Sequence, residues 1–191
     1  MKTAVYREYG DLIEIFKINI DMGNGTKGSV TITESILRMW KEELGYKIFD
    51  NFDLHIRATS NMIRDESITL DPIESMLAEL LSEIGRKDIE IPAVPSTMYV
   101  LTNENRYNGA AAILDIDRVN MLLEEEGIDP EKITLIPSSI HEWIVLTVKT
   151  DYNMLSEMIQ DVNETQLNEI DILSDHPYKW NEIEGLQMYE E

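Results

Sequence analysis

Cysteine is missing from the chain. That excludes a disulfide framework and any thiolate metal site. Long apolar runs are missing too, and none approaches the roughly 20 residues a membrane-spanning helix needs. The opening residues, MKTAVYREYGDLIEIF, put charges where a signal peptide would have its apolar stretch. Histidine is scarce. His55, His141 and His176 are the only three, no two stand at metal-ligand spacing, and neither H-E-x-x-H nor H-x-E…C-x-x-C occurs. Basic residues are few, 16 against 37 acidic ones, for a net charge of −21. Such a surface repels nucleic acid and anionic membranes, and it attracts cations and basic proteins. These absences lead us to expect a cytoplasmic protein with no cofactor, no bound metal, no membrane contact and no direct binding to free nucleic acid.

What is present is enough for a core. In 191 residues 43% are hydrophobic, and apolar residues recur in every segment, unlike a disordered chain. The charge is unevenly spread. Residues 1–50 carry net −1, residues 51–150 net −10, and residues 151–191 net −10, with one basic side chain among 11 acidic ones. Solubility accounts for most acidic proteins. A sharper reading is a surface that competes for a site built to hold phosphates.

Strand and helix patterns alternate along the chain. Residues 12–20, LIEIFKINI, are rich in β-branched residues and alternate imperfectly. Asn24-Gly25 marks a hairpin turn before VTIT at 30–33. Thr33 or Ser35 can cap a helix running to about Leu44, with Ile36 and Trp40 on one face. Phe49, Phe52, Ile56 and Ile63 point to a second helix over 47–64. The stretch LDPIESMLAELLSEIG gives the cleanest helix. Asp71 is placed as N-cap, Pro72 suits the first turn, Glu74 completes the capping pattern and Gly85 ends it. Its Ile73, Met76, Leu77, Leu80, Leu81 and Ile84 are expected to face the core. IPAVPS, 91–96, is the candidate boundary between an N-terminal part, 1–91, and a C-terminal part, 92–191, of one compact unit.

The C-terminal part reads as hairpins. TMYVLT and AAAIL are expected to pair about a turn containing Asn103, Asn108 and Gly109. Asp115 caps a helix through Val119, Leu122 and Leu123 that Gly127 ends. KITLIP and EWIVLTVK form another pair, with Pro137 ending the first strand. An amphipathic helix over 152–167 turns Met154, Leu155, Met158, Ile159 and Val162 inward, and EIDILSDHPYKW reads as a last strand or an extended segment. The order is ββα-ββα-β. Short hairpins imply an antiparallel sheet, so the fold class is α+β with helices packed on one face.

Four patterns could carry chemistry. Gly23-Asn24-Gly25-Thr26-Lys27-Gly28 matches G-x-G-x-x-G, but a strand follows it where a dinucleotide fold needs a helix, so it reads as a hairpin tip. Asp115 and Asp117, with Glu124, Glu125 and Glu126, offer carboxylates to a hard cation. Asp115 is equally a natural N-cap, and the three glutamates span too much of a helix to converge. IPSSIHE, 136–142, brings Ser138, Ser139, His141 and Glu142 together. It lacks the glycines of a nucleophile elbow and lies between strands, so it reads as a corner. The acidic residues Glu124, Glu125, Glu126, Asp151, Glu157, Asp161, Glu164, Glu169, Asp171 and Asp175 read as a solvated face or as a partner surface.

The second half resembles an uncharacterised bacterial domain family. Its hallmarks are Y-V-L-T-N, N-G-A-A-A-I-L, L-P-S-S-I-H-E and a late L-S-D. They match Tyr99 to Asn103, Asn108 to Leu114, Pro137 to Glu142, and Leu173, Ser174 and Asp175, with Ile136 in place of the first leucine of L-P-S-S-I-H-E. The resemblance follows the element order over about 12–180 and is specific in 97–146 and 173–175. Members are frequent in gut bacteria and their mobile elements, and many carry a longer N-terminal part. Because the family lends no biochemical role, it implies a fold pattern and a setting. In that setting a small, acidic, cysteine-free chain is similar to anti-CRISPR proteins, which fill the basic grooves of Cas effectors.

These readings lead to an expectation of a non-catalytic binding protein. It would be an anti-CRISPR-type inhibitor of a Cas nuclease, with carboxylates in place of phosphates, and its partner a basic protein such as a Cas effector or its guide-RNA complex. Two alternatives stand beside it. One is a metal-dependent nuclease or hydrolase using Asp115, Asp117 and His141; the other is an interaction module of a mobile element.

Overall fold

A computed structural model describes residues 6–9, 12–21, 27–43, 68–86, 89, 91 and 95–189. The chain divides into two compact units, Met1–Arg64 and Asp65–Glu191. The connector at 91–96 falls within the second.

In the first unit, strand β1 (Tyr6–Tyr9) pairs antiparallel with β2 (Leu12–Ile15), and β3 (Lys17–Asp21) with β4 (Lys27–Thr31). The β-branched stretch 12–20 therefore splits at Phe16, which is buried and whose carbonyl accepts the amide of Ile32. Gly28 lies in β4 opposite Ile20, so the glycine pattern leads into a strand. Its tip lies outside the described residues. Helix α1 (Glu34–Glu43) starts after Thr33, whose Oγ1 accepts the Ile36 amide at 3.4 Å. The helix expected over 47–64 also lies outside the described residues.

The second unit is built on a six-stranded sheet in the order β10-β9-β7-β8-β6-β5, with every pairing antiparallel. Its strands are β5 (Ile68–Pro72), β6 (Met98–Asn103), β7 (Thr134–Ser139), β8 (Glu142–Leu146), β9 (Tyr178–Asn181) and β10 (Gly185–Met188). Helices α2 (Ile73–Glu83), α3 (Ile116–Glu125) and α4 (Tyr152–Thr165) connect them. This is the α+β class with an antiparallel sheet.

Side-chain alternation assigns the two faces of the sheet. Ile136 pairs with Ile144, and Leu146 with Met98. These residues pack against Leu155 and Ile159 of α4. The intervening residues Leu135, Trp143, Val145 and Tyr178 face the other way. On that side the Trp143 indole donates to the carbonyl of Ala110, and the Trp180 indole to Asn120 of α3. Helices thus lie against both faces, where the sequence pattern placed them on one.

Three local expectations change. AAAIL is not a strand but part of a 3₁₀ turn, Gly109–Leu114, tied down by the Trp143 indole. Pro137 does not end β7; it pairs with Trp143, and the register shifts just after it. The pairing of β7 with β9 ends at Leu135, so the missing N–H of Pro137 leaves no ladder partner stranded on that side. Asp71 belongs to β5, and Pro72 holds the N-cap position of α2.

The helices also bury less than their apolar spacing implies. No residue of α2 is buried; Ile73, Leu77, Leu80 and Ile84 are exposed, and Met76 and Leu81 are half-buried. Helix α2 follows the terminal strand β5, where the sheet has no further strand to cover. On α4 the buried residues are Leu155, Ile159 and Asn163, while Met154, Met158 and Val162 are exposed. A helix resting on a flat sheet buries only one arc of its circumference.

Candidate functional site

The family-like stretches meet at one end of the sheet. Strand β6 ends in Thr102 and Asn103, both buried. The Asn103 side chain splints the next turn: its Nδ2 donates to the Tyr107 carbonyl at 3.0 Å and its Oδ1 accepts the Tyr107 amide at 3.2 Å. Arg106 and Asn108, on either side, adopt left-handed conformations with φ near 51° and 52°. Asparagine tolerates that region and arginine adopts it at a cost. The constrained turn leaves Tyr107 68% exposed.

Gly109 then enters the 3₁₀ turn where only a hydrogen fits. A Cβ there would overlap Thr102 Oγ1 and stand 2.5 Å from the His141 carbonyl oxygen and 2.8 Å from the Asn103 nitrogen. The close approach lets the Ala110 amide donate to the Ile140 carbonyl and Thr102 Oγ1 to the His141 carbonyl at 2.7 Å.

The serine-histidine corner joins β7 to β8, as its composition implied. Ser139 Oγ accepts the His141 amide at 3.1 Å, and Ser138 Oγ reaches Glu142 Oε1 at 3.4 Å. Neither hydroxyl is hydrogen-bonded to the His141 ring. His141 Nδ1 accepts the Asn108 amide at 3.0 Å, so in the neutral ring the proton sits on Nε2. Nε2 faces Asp171 Oδ1 at 3.7 Å, and the Tyr107 ring lies 5.3 Å away. Nδ1 is taken up in holding the turn before Gly109, while Nε2 is within ion-pair reach of Asp171 without a hydrogen bond to it. A general base needs one free to take a proton from a nucleophile.

The late L-S-D stretch closes the end from the other side. The Ile140 amide donates to the Asp171 carbonyl at 2.9 Å. Asn163, buried on α4, donates to the Ser174 carbonyl at 3.0 Å and to Asp175 Oδ1 at 2.8 Å. The Tyr178 hydroxyl donates to Ser174 Oγ at 2.9 Å. Each contact returns a buried polar group to a partner, as burial demands. Asn163 had a signal in the sequence: an asparagine at i+4 from Ile159, on the apolar arc, has to find a partner.

The carboxylates considered for a metal do not converge. Asp115 Oδ1 caps α3 by accepting the Arg118 amide at 3.1 Å. Its Oδ2 is buried without a hydrogen-bond partner. Asp117 is exposed in the first turn of α3, and Glu124, Glu125 and Glu126 are exposed at its other end. At 1.5 Å of rise per residue those ends are on the order of 10 Å apart. No group of three potential ligands forms among the described residues. His176 packs on the Tyr178 ring at 5.8 Å, and His55 lies outside the described residues.

The acidic residues are spread over the exposed surface. Asp151 Oδ1 caps α4 by accepting the Met154 amide at 3.0 Å, and Glu157, Asp161 and Glu164 stand exposed along that helix. Glu169 and Asp175 are exposed, the latter while accepting from Asn163. Asp171 is half-buried, with Oδ1 toward His141 and Oδ2 accepting from Asn168 at 3.1 Å. Among the described residues none of the ten lies within ion-pair distance of a lysine or arginine, and Asp171 faces His141.

Fold and site together define an antiparallel α+β protein whose sheet is closed at one end by a hydrogen-bonded knot of loops. The chain belongs to DUF5688, a family of unknown function, whose family model matches residues 1–182. No curated protein and no solved structure matches it. The described residues contain no helix long and apolar enough to cross a membrane.

Proposed function

We propose that the chain is a non-catalytic binding protein whose exposed carboxylates engage a basic protein partner. Its sharpest form is anti-CRISPR-type inhibition of a Cas nuclease by occupation of the groove that holds nucleic acid. The observation that carries the reading is the run from Asp151 to Asp175. It holds seven carboxylates and no lysine or arginine, and all but Asp171 are exposed. Carboxylates without local cations are solvated or meet an external cation, because burying them unpaired is prohibitive.

The companion observation is how the hydrolytic candidates are used. His141 pins Asn108 and faces Asp171, Asp115 caps a helix, and Ser139 accepts a backbone amide. Each of these three has a structural task, while Asp117 stands exposed in the first turn of α3.

The test is a salt series of association rates with a purified Cas effector, with and without its guide RNA. Steered association should slow steeply as the screening length falls below about 8 Å. Reversing Glu157, Asp161 and Glu164 to lysine should slow association more than it speeds dissociation. A rate indifferent to both salt and charge reversal would refute the reading. Mg²⁺-dependent RNA cleavage that needs Asp115 or Asp117 would put an enzyme in its place.

A further inference from the structure

Helix α4 carries, beside its carboxylates, an apolar row that the sheet leaves uncovered. Met154, Met158 and Val162 follow one another at four-residue steps and are 61%, 43% and 39% exposed. They share one side of the helix, next to the buried row of Leu155 and Ile159. Glu157 and Asp161 follow Met154 and Met158 by three residues, which sets their carboxylates along the flank of the same row. Asp151 caps the helix at one end of it.

We infer that this row is a docking ledge for a basic amphipathic helix, a partner segment with apolar side chains on one face and lysine or arginine beside them. The inference rests on the acidic-surface reading above and names the partner's chemistry. Charge complementarity selects this occupant. No lysine or arginine occurs between Asp151 and Asp175, so the partner has to bring the cations. A second copy of the chain would bring the same carboxylates to the same contact, and like charges set face to face disfavour it. Methionine suits the task, since its unbranched, polarizable side chain adapts to differently shaped apolar partners. The apolar contact also supplies what charge alone lacks: an attraction that persists when salt screens the carboxylates.

The probe is a synthetic amphipathic helix of leucine and lysine with the two residue types on opposite faces. A scrambled peptide of the same composition and a lysine-only peptide serve as references. Binding is followed by fluorescence anisotropy at low and high salt, and by the methyl signals of labelled methionines in the intact chain. The amphipathic peptide should bind at high salt where the other two no longer do. It should shift the Met154 and Met158 methyls while leaving those of Met39, Met121 and Met188, also exposed, in place. The triple variant Met154→Ser, Met158→Ser, Val162→Ser should weaken high-salt binding by about tenfold or more. Its circular-dichroism melt checks that the fold is retained. Glu157→Gln with Asp161→Asn should instead flatten the salt dependence.

The outcomes separate the two readings. If all three peptides bind alike, in a salt-dependent way untouched by the triple variant, the acidic-surface reading stands and the ledge is refuted. If no basic peptide binds at any salt, both fall. If sedimentation shows a dimer that Met158→Ser dissolves, the occupant is a second copy and the proposal is wrong.

Discussion

Gly109→Ala is the substitution that most directly tests the knot. The added methyl would overlap Thr102 Oγ1 and lie 2.5 Å from the His141 carbonyl oxygen and 2.8 Å from the Asn103 nitrogen. Two of those neighbours are backbone atoms and cannot rotate away. The third is the hydroxyl that donates to the same His141 carbonyl, so moving it breaks a hydrogen bond at a buried threonine. Overpacking of this kind costs about 1–3 kcal/mol. A stranded buried polar group adds about 1–3 kcal/mol. The expected loss is therefore about 2–6 kcal/mol. Gly127→Ala is the reference. Gly127 ends α3 at φ 68°, and an added methyl would meet nothing within 4 Å, so its cost is the left-handed conformation alone, about 1–2 kcal/mol. Urea unfolding followed by tryptophan emission reads the difference, since Trp143 and Trp180 are both buried in the second unit. With a slope of about 1–3 kcal/mol per molar, the Gly109 variant should lose on the order of 1–3 M in midpoint. A midpoint at or above that of Gly127→Ala would show that the close approach of the turn to the strand ends does not exist.

Three further outcomes follow from the same contacts. His141→Ala removes the acceptor of the Asn108 amide and should cost about 1–2 kcal/mol in a thermal melt; full stability with loss of a measurable activity would contradict the structural role. Leu155→Ala and Ile159→Ala should each cost about 2–5 kcal/mol, whereas Met158→Ala should stay within about 0.5 kcal/mol by urea unfolding. Burial first, then the charges of Glu126 and Glu74, hold the Tyr99 phenol above the ordinary tyrosine value of 10.0. Because the unfolded chain then releases this proton first, stability should fall as pH rises past the ordinary value, and an absorbance titration of Tyr99→Phe against the parent should show the late-ionising phenol disappear.

Where local chemistry decides, the sequence was readable. The Asp115 cap, the Gly127 stop, the Thr33 cap and the corner at Ser138–His141 rest on groups within four residues of one another. Where a distant partner decides, it was not. AAAIL looks like a strand until Trp143, 33 residues away from Ala110, takes its carbonyl. Asp71-Pro72 looks like a helix start until Tyr99 and Val100 pair with it as a strand. The site shows the same division. The motif residues Thr102, Asn103, Asn108, Gly109 and His141 were marked, but that they close one end of a sheet depends on contacts such as Thr102 to His141, 39 residues apart. Asn163 was marked by its place on the apolar arc, but its partners at Ser174 and Asp175, like the contact of Asp171 with His141, came only from the fold.

The two helices that bury less than expected differ in a way that gives the difference meaning. Hydrophobic spacing identifies side chains that can be buried, but a helix on a sheet covers one arc, and both α2 and α4 are apolar over more than that. On α2 the uncovered row, Ile73, Leu77, Leu80 and Ile84, follows the edge strand β5, and near it Glu79 is paired with Arg106 at 3.6 Å. That glutamate is answered within the chain. On α4 the uncovered row runs beside Glu157 and Asp161, which have no ion-pair partner among the described residues and no lysine or arginine between Asp151 and Asp175 to provide one. A surplus apolar row costs solubility, and surplus carboxylates of one sign repel each other; each alone has an ordinary explanation. Their coincidence on one side of one helix, beside a row already committed to the core, is the arrangement that a basic amphipathic partner would satisfy in both respects at once.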